Sequence, residues 1–299
     1  MSSEDHNDVL KNLEPQKKFF VGIDSDGCVF DTMEIKHKEC FIPNNIKYWN
    51  LQAVSKYARE AAEFVNLYSK WRGINRFPAL VMGFDLLREW DDVKKRGISI
   101  PEASELRKFI DSGRPLSNPS FKEYINEIGS NDELNTALEW SEAVNKTVDD
   151  MVYGMPPFPF VRESLEKLED MADMLVVSAT PTGALEKEWS ENELDSFVRV
   201  IAGQEMGSKK EHLALAASGK YESHHILMIG DAPGDLKAAR ANNALFYPIM
   251  PGHEDASWQR FYEEASDRFL NETYAGEYEE KLIQDFLDSL PETPPWKSR

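Results

Sequence analysis

Cysteine is scarce, long apolar runs are missing and positive charge is in short supply. Cys28 and Cys40 are the only cysteines in 299 residues, so no disulfide framework is expected; a chain this long buries a full core without one. No apolar stretch approaches the roughly 20 residues that cross a bilayer. Residues 1–18 form a polar leader rather than a basic segment followed by an apolar run, so no secretory signal is expected. A soluble protein of a reducing cytoplasm is the expectation. With 34 Lys and Arg against 53 Asp and Glu, the formal net charge is −19. Such a surface repels phosphate backbones and anionic membranes alike, which excludes nucleic-acid and membrane partners from the expected ones. A small anionic substrate would need a local exception, built from a metal ion and a few basic side chains.

What is present is an alternation of short apolar runs and helical periods. Residues 19–23, 174–177, 197–202, 226–229 and 245–247 are β-rich and apolar, as buried strands are. Between the later runs, residues 161–171, 209–217 and 236–241 carry helical spacing. Strand–helix alternation of this kind predicts an α/β fold with a Rossmann-like parallel sheet and helices on both faces. The first and second runs are separated by about 150 residues, far more than a connection needs, so the gap must hold structure of its own. Within it, residues 51–71, 79–96, 101–112, 121–128 and 133–151 read as helices. Pro78 suits a first helical turn, Gly97 and Gly113 suit helix ends, and Asp132 suits an N-cap. Pro156, Pro157 and Pro159 mark the return to the sheet. The expected division is an α/β core of residues 1–31 and 157–252, an all-helical insert of 32–156, and a helical C-terminal extension of 253–299. Trp258, Phe261, Tyr262 and Phe269 share one helical face and predict that the extension docks, while residues 291–295 are expected to fray.

The first strand runs straight into Asp24-Ser25-Asp26-Gly27. Ligands of open α/β sheets bind outside the carboxyl ends of the strands. Alternate residues of an extended chain point the same way, so Asp24 and Asp26 are placed to serve one reacting centre. Gly27 lets the chain turn at once. Further along, Leu175-Val176-Val177-Ser178 ends a strand in a hydroxyl, Gly207-Ser208-Lys209 opens a helix, and Ile229-Gly230-Asp231-Ala232-Pro233-Gly234-Asp235 ends a strand in carboxylates. Together, in this order, these four segments resemble the four motifs of the haloacid dehalogenase superfamily, most of whose members are phosphatases. The resemblance covers residues 19–31 and roughly 157–252. Lys210 follows Lys209 where the family often has proline, so Lys209 is preferred for the lysine motif with Lys210 as its rival.

The resemblance implies an enzyme that hydrolyses a small phosphorylated metabolite with Mg²⁺. Asp24 would be the nucleophile and form an aspartyl-phosphate, and Asp26 would protonate the leaving oxygen and later take a proton from water. Ser178 and Lys209 would grip the phosphoryl oxygens. Asp24 and Asp231, with the backbone carbonyl of Asp26, would hold the metal. Asp235 would act through a water or by orienting Lys209. An aspartate at position 26 favours phosphate esters over the dehalogenase and phosphonatase branches, whose leaving groups do not need this donor. The insert resembles the family's helical cap, and Arg72, Asn75 and Arg76 concentrate cationic and amide groups there for substrate recognition, with pairing to surface carboxylates as the equal alternative. His224 and His225 precede a strand with no further ligand near them in sequence, so no zinc site is expected. Two other functions remain open: a phosphomutase or phosphotransferase acting on a sugar phosphate, and a non-catalytic binding module.

Overall fold

A computed structural model describes residues 8–298, with the side chain of Ser298 left out; residues 1–7 of the polar leader lie outside the described residues. The chain divides into two compact units. One takes the chain up to Met33 and then Gly154–Leu290; the other takes Glu34–Tyr153 and the C-terminal segment from Pro291.

The first unit is a five-stranded sheet in the order β3-β2-β1-β4-β5, with β1 Phe19–Ile23, β2 Ala172–Val177, β3 Val200–Ala202, β4 Ile226–Gly230 and β5 Leu245–Pro248. Every pairing is parallel: Gly22 lies opposite Leu175 on one side and Met228 on the other. Helices cover both faces, which is why β1 and β2 are buried at every position and apolar almost throughout. One apolar cluster gathers Val21, Ile23, Val176 and Ile229, and another, on the opposite face, gathers Phe20, Leu175, Val177 and Met228. Chain order moves outward from β1 to β3 and then crosses back to β4. The switch point therefore falls between β1 and β4, where Asp24 and Asp231 emerge.

The helices Glu254–Arg260, Ser266–Leu270 and Glu277–Ser289 complete this unit. Trp258, Phe261 and Phe269 are fully buried in the main cluster, and the Trp258 indole donates to the Cys28 carbonyl at 2.7 Å. Tyr262 packs instead against Phe160. Strand β3 is shorter than the apolar run predicts, because Asp195–Phe197 form a 3-10 turn before it.

The second unit is all helical, with principal helices Ser55–Asn66, Arg76–Glu89, Ser104–Ile110, Asn118–Ile128 and Asp132–Met151, around Phe77, Phe84, Phe109, Phe121 and Trp140. Residues 32–48, within the expected all-helical insert but with no helix assigned to them from the sequence, are Thr32–Ile35, a π-helical segment Lys36–Phe41 and Ile42–Tyr48; the π turn shifts the apolar phase and hides the period. The expected helix 79–96 breaks at Trp90, whose backbone is extended. Asn131, one residue before the expected Asp132, caps its helix by accepting from the Leu134 amide at 2.9 Å. Residues 291–295 do not stand alone as a frayed end. They lead to Trp296, which stacks on Trp90 with centroids 4.2 Å apart and planes 8° from parallel, while Lys297 pairs with Glu89 at 2.5 Å. No described helix is long and apolar enough to cross a membrane.

Candidate active site

Three strand ends and two helix starts build the site. Strand β1 ends at Ile23, and Asp24 keeps its amide on the sheet by donating to the Ile229 carbonyl at 3.0 Å. Gly27, at φ 73°, turns the chain back so that its amide reaches the Phe30 carbonyl. Strand β4 delivers Asp231 in the same way. The following helix, Pro233–Ala241, carries Asp235 on its first turn, where one carboxylate oxygen accepts from the Ala232 amide at 3.0 Å. Gly230 makes that tuck possible: a Cβ there would sit 2.5 Å from the Asp235 side chain.

The lysine arrives at a helix start. Ser208 caps Lys209–Ala216 in a reciprocal box with Glu211, whose carboxylate takes the Ser208 amide at 2.7 Å. Lys209 is then the first helical residue, and its Nζ lies 2.5 Å from Asp24 and 2.6 Å from Asp235. Lys210 is exposed and lends the site only a helix backbone whose carbonyl takes Asn242. Between the two rivals, Lys209 is the one beside Asp24.

Asp24, Asp231 and Asp235 are 4%, 1% and 0% exposed, and one oxygen of each lies within 4.8 Å of the others. Burial, helped by the charges of Asp235 and Asp231, raises the Asp24 carboxyl well above the usual carboxylate range, and Lys209 opposes this. For Lys209 burial works against the charge, but Asp235, Asp24 and Asp231 outweigh it and keep the ammonium protonated. Three carboxylates share one ammonium, which leaves an excess of negative charge. An all-oxygen donor set of this kind fits a hard divalent cation, which prefers carboxylates and needs only one or two of them.

Asp26 stands outside that carboxylate cluster. The Thr32 hydroxyl donates to one of its oxygens, and the Thr180 hydroxyl donates to the other at 2.6 Å. Ser178, at the end of β2, is buried and its hydroxyl accepts from the Thr180 amide at 3.2 Å. The loop carrying Thr180 is seated on Gly203, where a Cβ would fall 2.7 Å from the Thr180 carbonyl. Glu205 fastens the same loop by accepting from the Thr182 amide and hydroxyl at 2.9 and 2.8 Å. Thr32, Thr180 and Thr182 carry no motif of their own, and sequence reading passed over them.

The three cap residues are placed differently from one another. Asn75 caps the helix Arg76–Glu89 and donates to the Leu116 carbonyl at 2.8 Å, so its amide serves the fold of the insert. Arg72 is 3% exposed and donates to the Leu67 carbonyl at 2.9 Å. Arg76 donates to Ser141 and to Asn145, at 3.1 and 2.6 Å, and lies over the Phe41 ring. A cavity of about 620 Å³ elsewhere in the helical unit is lined by Tyr57, Trp90 and Trp296, among others, and by none of the residues expected in catalysis.

Solved structures similar to this chain include a hydrolase of the haloacid dehalogenase-like family from Streptococcus pneumoniae, at 17% identity over 81% of this chain and 90% of that one, with a TM-score of 0.43. Another is a haloacid dehalogenase superfamily hydrolase of subfamily IA from Geobacter sulfurreducens, at 14% identity over 79% and 89%, with a TM-score of 0.36. A third, a haloacid dehalogenase-like family hydrolase from Xanthomonas campestris, is 11% identical over 86% and 97%, with a TM-score of 0.41. No curated protein matches significantly. The sequence model of haloacid dehalogenase-like hydrolases matches residues 94–247, slightly more than half of the chain. The chain belongs to the haloacid dehalogenase-like hydrolase family.

Proposed function

We propose that the chain is a Mg²⁺-dependent phosphatase that hydrolyses a small phosphorylated metabolite through a phosphorylated Asp24. The observation that carries this reading is the pairing of buried Asp24 with Lys209, inside a cluster that also holds Asp231 and Asp235. A phosphate monoester is anionic, so its attack by a carboxylate needs neutralising charge and an in-line nucleophile. Asp24 attacks phosphorus, and the ester oxygen leaves with a proton from Asp26. Water then cleaves the acyl-phosphate while Asp26 takes its proton. Thr32 and Thr180 hold the Asp26 carboxyl for both transfers. Lys209 and Ser178 bind phosphoryl oxygens, and Asp235 fixes Lys209. Mg²⁺, held by Asp24, Asp231 and the Asp26 carbonyl with Asp235 at hand, supplies charge neutralisation at the phosphoryl oxygens when bound.

For substrate choice the helical unit offers Arg72 and Arg76. Among the described residues no carboxylate pairs with Arg76, and burial brings its pKa down to about 10, so it stays charged at neutral pH. An acidic group on the substrate is its proposed partner.

Phosphate release from a panel of phosphomonoesters, with Mg²⁺ and with chromatography of the products, tests the reading. Free phosphate from the wild-type protein and none from Asp24→Asn is the expected result. An isomeric sugar phosphate as product would replace hydrolysis by the mutase reaction. Release from no substrate would favour a binding module.

A further inference from the structure

The opposite end of the same sheet carries a second cluster of ligand-type side chains. The 3-10 turn Ser223–His225 leads directly into β4. His225 is buried there, with its ring packed edge-on against Phe19 of β1 at 4.7 Å. The His224 ring lies 4.1 Å from it. Both Nε2 atoms face Glu272, which the chain supplies 47 residues after His225, in the turn that follows Ser266–Leu270. His225 Nε2 is 3.0 Å from one Glu272 oxygen, His224 Nε2 is 3.6 Å from the other, and His224 Nε2 is also 3.3 Å from Glu222.

We propose that Glu222, His224, His225 and Glu272 form a binding site for Zn²⁺ or a similar transition-metal ion, separate from the catalytic carboxylates. Four observations support it. First, a tetrahedral ion with bonds of about 2.0–2.1 Å sets its ligand atoms roughly 3.3 Å apart, and the three distances between ring nitrogens and carboxylate oxygens, 3.0, 3.3 and 3.6 Å, bracket that spacing. Second, one donor atom each of Glu222, His224 and His225 lies within 4.8 Å of the others, so these three supply the convergent set and Glu272 joins it through its contacts with the two imidazoles. Third, Glu272 sits at φ 60°. That left-handed position just past a helix end suits Gly or Asn, and a Glu held there is strain retained for what its side chain does. Fourth, mixed imidazole and carboxylate donors favour zinc and its neighbours, whereas the all-carboxylate cluster favours magnesium, so the two centres would select different ions.

The charged group that must give way is Lys18, whose Nζ is 2.5 Å from Glu272. It is more than half exposed and can swing into water when a metal takes the carboxylate. Lys18 and His225 immediately precede β1 and β4, while Asp24 and Asp231 follow those same strands. A five-residue strand spans roughly 16 Å, so an ion here does not reach the reacting phosphorus. Its effect is to fasten the turn before β4 to the loop after Ser266–Leu270, and with it the C-terminal helices to the sheet.

The test uses the full chain, stripped with chelator and then held in excess Mg²⁺ so that the catalytic carboxylates are occupied. Calorimetric titration with Zn²⁺ should show one equivalent bound and a rise in Tm, and Co²⁺ should give the visible spectrum of a tetrahedral nitrogen-containing site. His224→Ala should weaken zinc binding at least about 100-fold while leaving Mg²⁺-dependent phosphate release unchanged. Glu222→Gln, an exposed substitution, gives a second loss independent of the first. Lys18→Met should tighten zinc binding by removing the competing ammonium. No zinc uptake beside Mg²⁺, equal uptake by wild type and both ligand variants, or uptake abolished by Asp231→Asn but not by His224→Ala, would each overturn the site.

Discussion

At the carboxyl ends of β1 and β4 three buried carboxylates meet one ammonium; at the amino ends of the same strands two glutamates meet a lysine and two histidines, mostly near the surface. The first arrangement is unbalanced and out of water, so each carboxylate raises the free energy of ionising the others, and an added cation relieves it. The second is more evenly balanced in charge and, His225 apart, open to solvent. Its partners hold Glu272 down at a pKa of about 2, with the Lys18 and His225 hydrogen bonds as the leading causes. One sheet thus presents a buried end with excess negative charge, where the proposed chemistry lies, and a more exposed end whose contacts hold the fold.

Substitutions at the two ends should separate these roles. Asp24→Asn should lower kcat on the order of 10⁴-fold or more, by analogy with the removal of other nucleophiles, with near-native circular dichroism. Retained turnover would remove Asp24 as nucleophile. Lys209→Met should cost about 10²–10³-fold in kcat, as does the loss of one charge-stabilising donor, while Lys210→Met should cost nothing measurable. Equal losses from the two would undo the assignment made from the Asp24 contact.

One helical turn after Lys209, His212 sharpens the contrast with the histidines of the other end. It is fully buried, and its ring nitrogens meet the Gly203 and Gly207 backbones in poor hydrogen-bond geometry. Burial, with Lys209 adding to it, brings its pKa down to about 4. An unfolded histidine takes up its proton near pH 6.5, so between pH 6.5 and 4 the unfolded chain binds more protons and stability falls as pH is lowered. Chemical denaturation should show wild type losing roughly 3 kcal/mol more than His212→Met between pH 7 and pH 4. Parallel pH curves would mean that the ring is not held neutral.

Smaller effects are expected from supports. Thr180→Val removes one hydrogen bond to Asp26 and should lower kcat about 10-fold, or roughly 1.4 kcal/mol, with KM little changed. Trp296→Ala, within the helical unit, should lower stability by about 1 kcal/mol through loss of the stack on Trp90. A thermal melt of the variant identical to wild type would show that the stack contributes nothing.

How much could be read beforehand depends on the range of the interactions involved. The strands were legible because a sheet covered on both faces demands short apolar runs, and the motif carboxylates because they end those runs abruptly. The π-helical turn at Lys36–Phe41 and the break at Trp90 were not legible. Both interrupt a period whose local residues still favour helix. Nor did anything near residues 291–295 announce that Trp296 would find Trp90, more than 200 positions earlier in the chain.

By itself, then, the order of residues determined the α/β class, the helical insert and the identity of Asp24, Asp26, Ser178, Asp231 and Asp235 as candidates, because periodicity and abrupt changes of polarity act over a few residues. Only the tertiary structure decided that Lys209 rather than Lys210 sits beside Asp24, that Thr32 and Thr180 hold Asp26, and that Glu272 joins His224 and His225. Each of these pairings depends on the direction a side chain takes once the backbone is folded, and that direction is set by packing between segments far apart in the chain.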